Sequence, residues 1–204
     1  NPLISIIIPV KNRFLWFKDT LNSVLSQTYN SYETIIVDDG SFPPLTKAIP
    51  EINEQREITI LRNETSLGPG GARELGRLNA SGKFILYLDS DDVLHPDYLK
   101  KMVNLLENNP EASMGYCIST IFNELPITGQ EKVYQSSDKV LDKYRFDITA
   151  RRWPTSSCLW AKWATDLIGP WSDLENGQGR VYDFKAECLD IRVEFIPEVL
   201  CYPR

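Results

Sequence analysis

The first half of the chain alternates short apolar runs with stretches in which apolar residues recur at helical spacing. Runs rich in β-branched residues predict buried strands at residues 3–8, 34–37, 58–61 and 84–88. The amphipathic stretches predict helices at residues 15–26, 45–53 and 96–108, and a further helix that ends near residue 79. This alternation predicts an α/β fold, in which helices flank a mostly parallel central sheet on both faces.

The pattern changes after Pro110. Residues 114–122 predict a strand, residues 181–189 predict a helix, and residues 194–196 and 199–202 predict two short strands. Residues 129–147 are polar and irregular, which predicts a hairpin or a mobile loop, and four tryptophans crowd residues 151–171. Because no low-complexity tract marks a linker, we predict a single domain over residues 1–204, with halves at 1–108 and 109–204.

The strand predicted at residues 84–88 runs directly into Asp89, Ser90, Asp91 and Asp92. Its carboxylates therefore lie at the C-terminal end of a strand, where open α/β sheets bind their ligands. Asp89 and Asp91 are two residues apart, so both can face one ligand on a turn, and such oxygen donors suit Mg²⁺ or Mn²⁺. A solvated turn is the alternative, but neighbouring carboxylates repel one another without a cation. We therefore predict a divalent metal site that would in turn hold phosphate groups.

Composition narrows the classes of partner and compartment. The 204 residues are 42% hydrophobic and 25% charged, with a net charge of −6, which argues against nucleic acid as the main partner. The four cysteines form no CxxC pair, so we expect neither a zinc nor a disulfide framework, and a reduced, cytoplasmic compartment. No apolar run approaches the length of a membrane span, although contact with the inner face of a membrane stays open. The start at Asn1 without Met suggests a domain excised from a longer chain.

Two weaker motif matches provide alternatives. Residues 68–73 resemble a dinucleotide fingerprint only loosely, because Arg73 occupies the position of the third glycine. Glycines that open a helix can still bring backbone N–H groups and Arg73 toward an anion, or they can simply start a helix with Arg73 in solvent. Residues 89–94 resemble the first motif of haloacid-dehalogenase-type phosphatases, but that family carries the motif on its first strand. A phosphatase is therefore the runner-up function.

A set of segments matches one further family in order and in spacing. These segments are residues 5–13, 24–29, 33–41, 68–73 and 80–92, and residues 195–202 add a closing strand region. As a set they resemble the family 2 glycosyltransferases with the GT-A fold. The resemblance implies a first half that binds a nucleotide sugar, with a UDP-sugar as the expected donor, and a second half that binds a saccharide or other hydroxyl acceptor. It also implies sugar transfer with inversion, assisted by Mn²⁺ or Mg²⁺.

The resemblance implies roles for individual residues as well. Asp39 would accept a hydrogen bond from the base, usually uracil, and Arg73 would lie near the nucleotide or its phosphates. Asp89 and Asp91 match the family's Asp-x-Asp motif, which contacts the ribose and holds the metal ion. The residues expected to bind the nucleotide sugar are Pro9, Val10, Asn12, Asp39, Gly71, Arg73, Asp89 and Ser90, and those expected to hold the metal ion are Asp91 and Asp89.

The catalytic base is the least direct of these assignments. In the family a later Glu-Asp pair supplies the base, and the corresponding stretch here is residues 181–184, where Tyr182 replaces the glutamate. Asp183 is therefore the expected base, with Asp173 and Glu175 as alternatives. We expect Asp183 in the first turn of a helix, where the helix dipole favours a carboxylate. The missing glutamate also keeps open a domain that binds sugar nucleotides but has lost catalysis.

Overall fold

The computed structural model describes residues 1–54, 58–122, 153–174 and 176–204, and the backbone of residues 132–135. Its strands are β1 (Ile4–Val10), β2 (Tyr32–Asp39), β3 (Ile58–Asn63), β4 (Phe84–Tyr87), β5 (Val93–Leu94), β6 (Met114–Ile121), β7 (Lys132–Gln135), β8 (Cys158–Ala161) and β9 (Val193–Tyr202). Its helices are α1 (Phe14–Leu25), α2 (Leu45–Ala48), α3 (Gly68–Leu78), α4 (Tyr98–Asn108), α5 (Lys162–Ile168) and α6 (Gln178–Cys188). Two short 3-10 turns lie at Pro50–Glu54 and Thr155–Ser157.

The strands of these residues form one mixed sheet. Its order is β3-β2-β1-β4-β8-β6-β9-β5, and β7 pairs with β6 beside this path. β1 pairs in parallel with β2 and with β4, and β2 pairs in parallel with β3. β8 runs antiparallel between β4 and β6, so the second half of the chain extends the sheet of the first. Since β2 and β4 both run parallel to β1, the acidic residues at the carboxyl ends of β2 and β4 meet at one edge of the sheet.

The central strands are apolar over most of their length because both of their faces are covered. Ile4, Ile6 and Ile8 of β1 belong to a core that also contains residues of α1 and α4. Ile7 lies in a second core, together with Tyr87 and aromatic residues of the second half. Parallel sheets covered by helices produce such near-continuous apolar runs. The predicted strands of the first half therefore agree with β1 to β4.

Packing accounts for most of the tryptophan cluster. Trp153, Trp160 and Trp171 are buried in the second core, whereas Trp163 is half exposed on α5. Trp171 stacks on Tyr182 with ring centroids 4.1 Å apart. Large aromatic side chains of this kind contribute much of the apolar area that a core buries.

The second half differs most from the sequence prediction. The two strands predicted at 194–196 and 199–202 are one strand, β9, whose register against β6 jumps from Ile196 to Val199. Pro197 lies in this jump, and because proline has no N–H for the ladder it produces a bulge without ending the strand. The helix predicted from residue 181 begins at Gln178, directly after Gly177 with its left-handed φ of 82°.

Other elements of the second half were not predicted at all. β8 and α5 lie within the tryptophan-rich stretch, where no clear periodicity marks them. The irregular segment predicted at 129–147 lies outside the described residues, except for β7, which pairs antiparallel with β6. No helix in the described ranges is long and apolar enough to cross a membrane.

Candidate functional site

A cleft of about 1090 Å³ opens where β1, β2 and β4 end. The second half of the chain supplies the opposite side of this cleft through Trp153, Pro154, Thr155, Asp173 and Arg204. The residues predicted to bind the nucleotide sugar or the metal ion that do line it are Pro9, Val10, Asp39, Arg73, Asp89, Ser90 and Asp91. Asn12, Gly71 and Asp183 were predicted as site residues as well, but they do not line it.

Asp39 is the last residue of β2 and one end of the site. Its carboxylate accepts hydrogen bonds from the Asn63 amide at 2.7 Å, the Ser66 hydroxyl at 2.6 Å and the Leu67 N–H at 2.9 Å. These bonds hold the loop between β3 and α3 against the cleft. An ionised carboxylate has about four acceptor positions, so Asp39 retains capacity for one further donor from a ligand.

Asp38, the neighbouring carboxylate, shapes the loop after β2 and does not line the cleft. It accepts hydrogen bonds from the N–H groups of Ser41 and Leu45, and Arg62 donates to it at 2.5 Å. Burial by itself raises the pKa of Asp38, but the hydrogen bonds, first of all those from Ser41, outweigh burial and hold this pKa below its usual range. Asp38 therefore remains ionised as the buried anchor of this loop.

Asn12 connects two loops and does not contact the cleft. Its N–H donates to the Ser41 hydroxyl at 3.1 Å, and its side-chain oxygen accepts the Phe42 N–H at 2.8 Å. Its φ of 58° is left-handed, a conformation that asparagine tolerates better than most residues. Asn12 was predicted to bind the donor. In the structure its hydrogen bonds join the loops that follow β1 and β2.

The glycine-rich start of α3 allows close packing within the protein. A Cβ on Gly70 would lie 1.9 Å from the Ser172 carbonyl oxygen, and one on Gly71 would lie 2.6 Å from the Cβ of Leu67. Only glycine leaves enough space at these positions. Gly71 was predicted to bind the donor, but its missing side chain makes room for Leu67, and it is Leu67 that lines the cleft.

Arg73 points from α3 to the acidic turn. The side chain is 6% exposed, its guanidinium lies 4.8 Å from the ring centroid of Trp171, and it donates to Asp89 at 2.5 Å. Its Nε atom is buried and has no hydrogen-bond partner among the described residues. Buried guanidinium groups normally use their donors, so Arg73 is held in place by Asp89 and Trp171 while its buried Nε donor stays unused.

The acidic turn after β4 carries carboxylates in unlike environments. Asp91 pairs with Arg13, while Asp92 is 6% exposed and accepts the Arg204 N–H at 3.2 Å. Burial, with the charge of Asp89 as a further cause, raises the pKa of Asp91 and raises that of Asp92 strongly; Arg13 opposes the rise at Asp91. Burial and the neighbouring carboxylates thus oppose the ionised form of these carboxyl groups.

Asp89 and Asp91 fit a cation that arrives together with a diphosphate. Among the described residues no group of three or more histidine, cysteine, aspartate or glutamate side chains forms a complete metal site. Mg²⁺ and similar ions nevertheless bind through one or two carboxylates, water molecules and substrate phosphates. Two cleft-lining carboxylates two residues apart fit this requirement, and Arg13 and Arg73 lie beside them as ion-pair partners.

The candidate bases occupy different positions. Asp183 lies in the second turn of α6, is 7% exposed, and accepts a hydrogen bond from Trp153 Nε1 at 3.3 Å. The expectation that it lies in the first turn of the helix is wrong, because α6 begins at Gln178. Asp173 is exposed and lines the cleft, with no hydrogen bond or ion pair to the rest of the described chain. Glu175 lies outside the described residues.

The geometry can be compared with known proteins. Residues 5–164 match the profile of glycosyl transferase family 2. The chain belongs to glycosyl transferase family 2. The matched region of this family 2 domain runs from β1 into α5 and includes residues on both sides of the cleft. Membership in this family does not favour the alternative function, a phosphatase, that the sequence of the acidic turn suggested.

Curated relatives extend well beyond this family 2 domain. An uncharacterized glycosyltransferase of Rickettsia conorii is 38% identical over 106 residues, which are 52% of this chain and 17% of that protein. WfgD of Escherichia coli, the UDP-Glc:alpha-D-GlcNAc-diphosphoundecaprenol beta-1,3-glucosyltransferase, is 34% identical over 128 residues, which are 63% of this chain and 50% of that protein. The domain thus spans half or less of the length of these relatives.

Solved structures share the fold of this family 2 domain. S. aureus TarS 1–349 in complex with UDP-GlcNAc matches with a TM-score of 0.75 and 20% identity, over 98% of this chain and 57% of that chain. The mannosyltransferase PcManGT from Pyrobaculum calidifontis, in complex with GDP-Man and Mn²⁺, matches with a TM-score of 0.71 and 15% identity, over 99% of this chain and 56% of that chain. The predicted GT-A fold is confirmed.

Proposed function

We propose that this domain transfers a sugar from a nucleotide-sugar donor to an acceptor hydroxyl, with inversion and with the help of a divalent cation. The observation that carries the proposal is that one cleft has Asp39 at the end of β2 and the pair Asp89 and Asp91 after β4. A base-reading carboxylate and a diphosphate-binding turn are then held by parallel strands of one sheet.

A UDP-sugar is the proposed donor. The free acceptor capacity of Asp39 suits the N3–H of uracil, while the sides of the base pocket come from Pro9 and Val10. Among the related proteins, WfgD is named for UDP-Glc, TarS is seen with UDP-GlcNAc, and PcManGT is seen with GDP-Man. Guanine also presents an N–H donor, so a GDP-sugar is the comparison that tests this assignment.

The chain's own residues would hold the cation and the diphosphate. Asp91, helped by Asp89, would bind Mn²⁺ or Mg²⁺, and Arg73 and Arg13 would face the phosphates from either side of the turn. When bound, the cation would neutralise negative charge that develops on the departing diphosphate. Both ions suit the site because oxygen ligands and retained waters accommodate either of them.

The acceptor would enter from the side of the cleft formed by the second half. Its hydroxyl oxygen would bond to the anomeric carbon as the bond to the diphosphate oxygen breaks on the opposite face, and the diphosphate would leave with the electron pair. We assign the acceptor proton to Asp173, because this carboxylate is exposed on the cleft wall, where a general base has to lie. Asp183 would then have a structural role, as the acceptor of the hydrogen bond from Trp153 Nε1.

The acceptor class follows from the cleft and from one relative. A saccharide or another hydroxyl compound is proposed, and the acceptor in the name of WfgD is a sugar on a lipid diphosphate. The second candidate function is a domain that binds sugar nucleotides without catalysis. It is favoured by one observation, that Asp183, at the position expected for the base, is buried behind Trp153.

A panel of nucleotide sugars, each incubated with and without Mn²⁺, tests the proposal. The expected result is slow hydrolysis of one UDP-sugar that requires the cation, with the hydrolysis rate reduced by Asp173→Asn. Tight binding of UDP without hydrolysis or transfer would support the non-catalytic alternative. Absence of any nucleotide binding would refute the proposed function.

A further inference from the structure

The acidic turn is held by a side chain from the other half of the chain. The last backbone bond of β4 toward β1 is donated by Leu88 N–H to the Ile7 carbonyl at 2.9 Å. The next N–H group, that of Asp89, donates to the Ser156 hydroxyl at 3.0 Å. Ser156 lies in the 3-10 turn Thr155–Ser157 and is 0% exposed. Up to Leu88 the backbone N–H groups donate to the neighbouring strand of the sheet. At Asp89 the acceptor is instead a serine hydroxyl from a distant part of the sequence.

The same hydroxyl also reaches the far end of the turn. The carboxyl group of Asp92 is itself buried, which raises its pKa, and the Ser156 hydroxyl opposes this rise. Within the turn, the Asp92 N–H donates to the Asp89 carbonyl at 3.1 Å. Since a serine hydroxyl has one donor and two acceptor positions, it can accept from Asp89 and donate to Asp92 at once. Ser156 thus holds the start of the turn through the N–H of Asp89 and influences its end at Asp92.

We propose that Ser156 is a positioning residue for the metal- and diphosphate-binding turn, which it holds so that the side chains of Asp89 and Asp91 face one ligand. This inference rests on the proposed function for its ligand, but its structural part stands on the contacts of Ser156 alone. It also means that a residue of the acceptor half determines the geometry of the donor half. Trp153, Pro154 and Thr155, the residues that precede Ser156, line the cleft themselves.

The neighbouring residue Ser157 provides a matched control. It is also 0% exposed and lies in the same 3-10 turn, but its hydroxyl donates to the Pro154 carbonyl at 2.8 Å. Ser157→Ala therefore removes a buried serine hydroxyl without removing a bond to the acidic turn. Ser156→Ala leaves the part-buried N–H of Asp89 without its partner, and a group left unpaired in this way makes such a substitution costly.

The experiment compares these two variants with the unmodified protein. Calorimetric titration with UDP in saturating Mn²⁺ should give an affinity about tenfold lower for Ser156→Ala, as expected for loss of a buried hydrogen bond, and an affinity near that of the unmodified protein for Ser157→Ala. Hydrogen exchange of peptides that cover the acidic turn should be faster in Ser156→Ala only. Thermal unfolding should report similar losses for both variants, so that stability alone does not explain the difference.

Two results would overturn the inference: an unchanged exchange rate at the turn in Ser156→Ala, or equal losses of UDP affinity in the two alanine variants. If the unmodified protein binds no UDP, the proposed function fails, and the exchange comparison alone decides whether Ser156 positions the turn. Should Ser156→Ala fail to fold, Ser156→Cys and Ser157→Cys replace the pair, because a thiol fills the place of the hydroxyl but forms weaker hydrogen bonds. The same differences are then expected in the same direction.

Discussion

Replacing Asp39 by alanine tests whether this carboxylate selects the base of the donor. Its present partners are the side chains of Asn63 and Ser66 and the N–H of Leu67, all from one loop. A uracil N3–H would add one charge-assisted hydrogen bond to this set. Losing such a bond typically costs about 1.5–3 kcal/mol, which corresponds to an affinity for UDP about 10- to 150-fold lower. Pyrophosphate has no base, so its affinity should change little.

The difficulty of this experiment is that Asp39→Ala also releases the loop, and Asn63→Ala separates the two effects. Asn63→Ala removes one loop bond, of 2.7 Å, but leaves the carboxylate in place. Calorimetry with UDP and with pyrophosphate, both in Mn²⁺, is carried out on each variant. We expect a large loss for UDP in Asp39→Ala only, and a small loss for UDP in Asn63→Ala.

Two outcomes would refute this reasoning. Equal losses for UDP and pyrophosphate in Asp39→Ala would mean that the carboxylate shapes the cleft without reading the base. A loss of UDP affinity in Asn63→Ala as large as that in Asp39→Ala would mean that the loop, and not the hydrogen bond to the base, carries the effect. A titration with GDP then shows whether the pocket distinguishes uracil from guanine.

The remaining predictions concern the cation, the base and the fold. Chelation of divalent cations should sharply weaken UDP binding, because the acidic turn would then repel the diphosphate, and calorimetry that finds unchanged affinity would contradict the metal assignment. Asp173→Asn should lower the rate constant of donor hydrolysis about 10²–10⁴-fold, whereas Asp183→Asn, which keeps an acceptor oxygen, should change it far less; the opposite order would return the base to Asp183. Asp38→Asn should lower the free energy of unfolding by about 1–3 kcal/mol at pH 7. Because the pKa of Asp38 is lowered in the folded protein, this stabilisation is complete above the pKa of the unfolded chain, about 3.9, and is lost as the pH falls through the folded pKa. Urea unfolding curves of the two proteins should therefore converge in acid, and a constant difference at all pH values would count against this explanation.

Much of the first half could be predicted from the sequence, for a simple physical reason. A strand covered by helices on both faces is apolar over most of its length, so β1, β2 and β4 are visible as apolar runs. The acidic residues that end such runs then lie at one edge of a parallel sheet. Asp39, Asp89 and Asp91 could be assigned to one cleft on this basis. β8 and α5 could not be predicted, because the aromatic stretch that contains them has no clear period.

The roles of side chains that depend on distant partners were decided only by the tertiary structure. Asn12 and Gly71 lie in the matching motifs, yet one joins two loops and the other makes room for Leu67. Their sequence positions are the same whether they bind a ligand or the protein itself, and only packing distinguishes these cases.

The sequence by itself thus determined the first four strands, the order of the helices between them and the edge of the sheet where the acids collect, because these follow from local period and composition. It did not determine which acid faces an acceptor. Asp173 and Asp183 are ten positions apart, and their difference in exposure arises from the start of α6 at Gln178 and from the contact with Trp153. Ser156 shows the same limit, because its hydrogen bond to Asp89 joins residues 67 positions apart. Such contacts are set by how the two halves pack, and no periodicity along the chain records them.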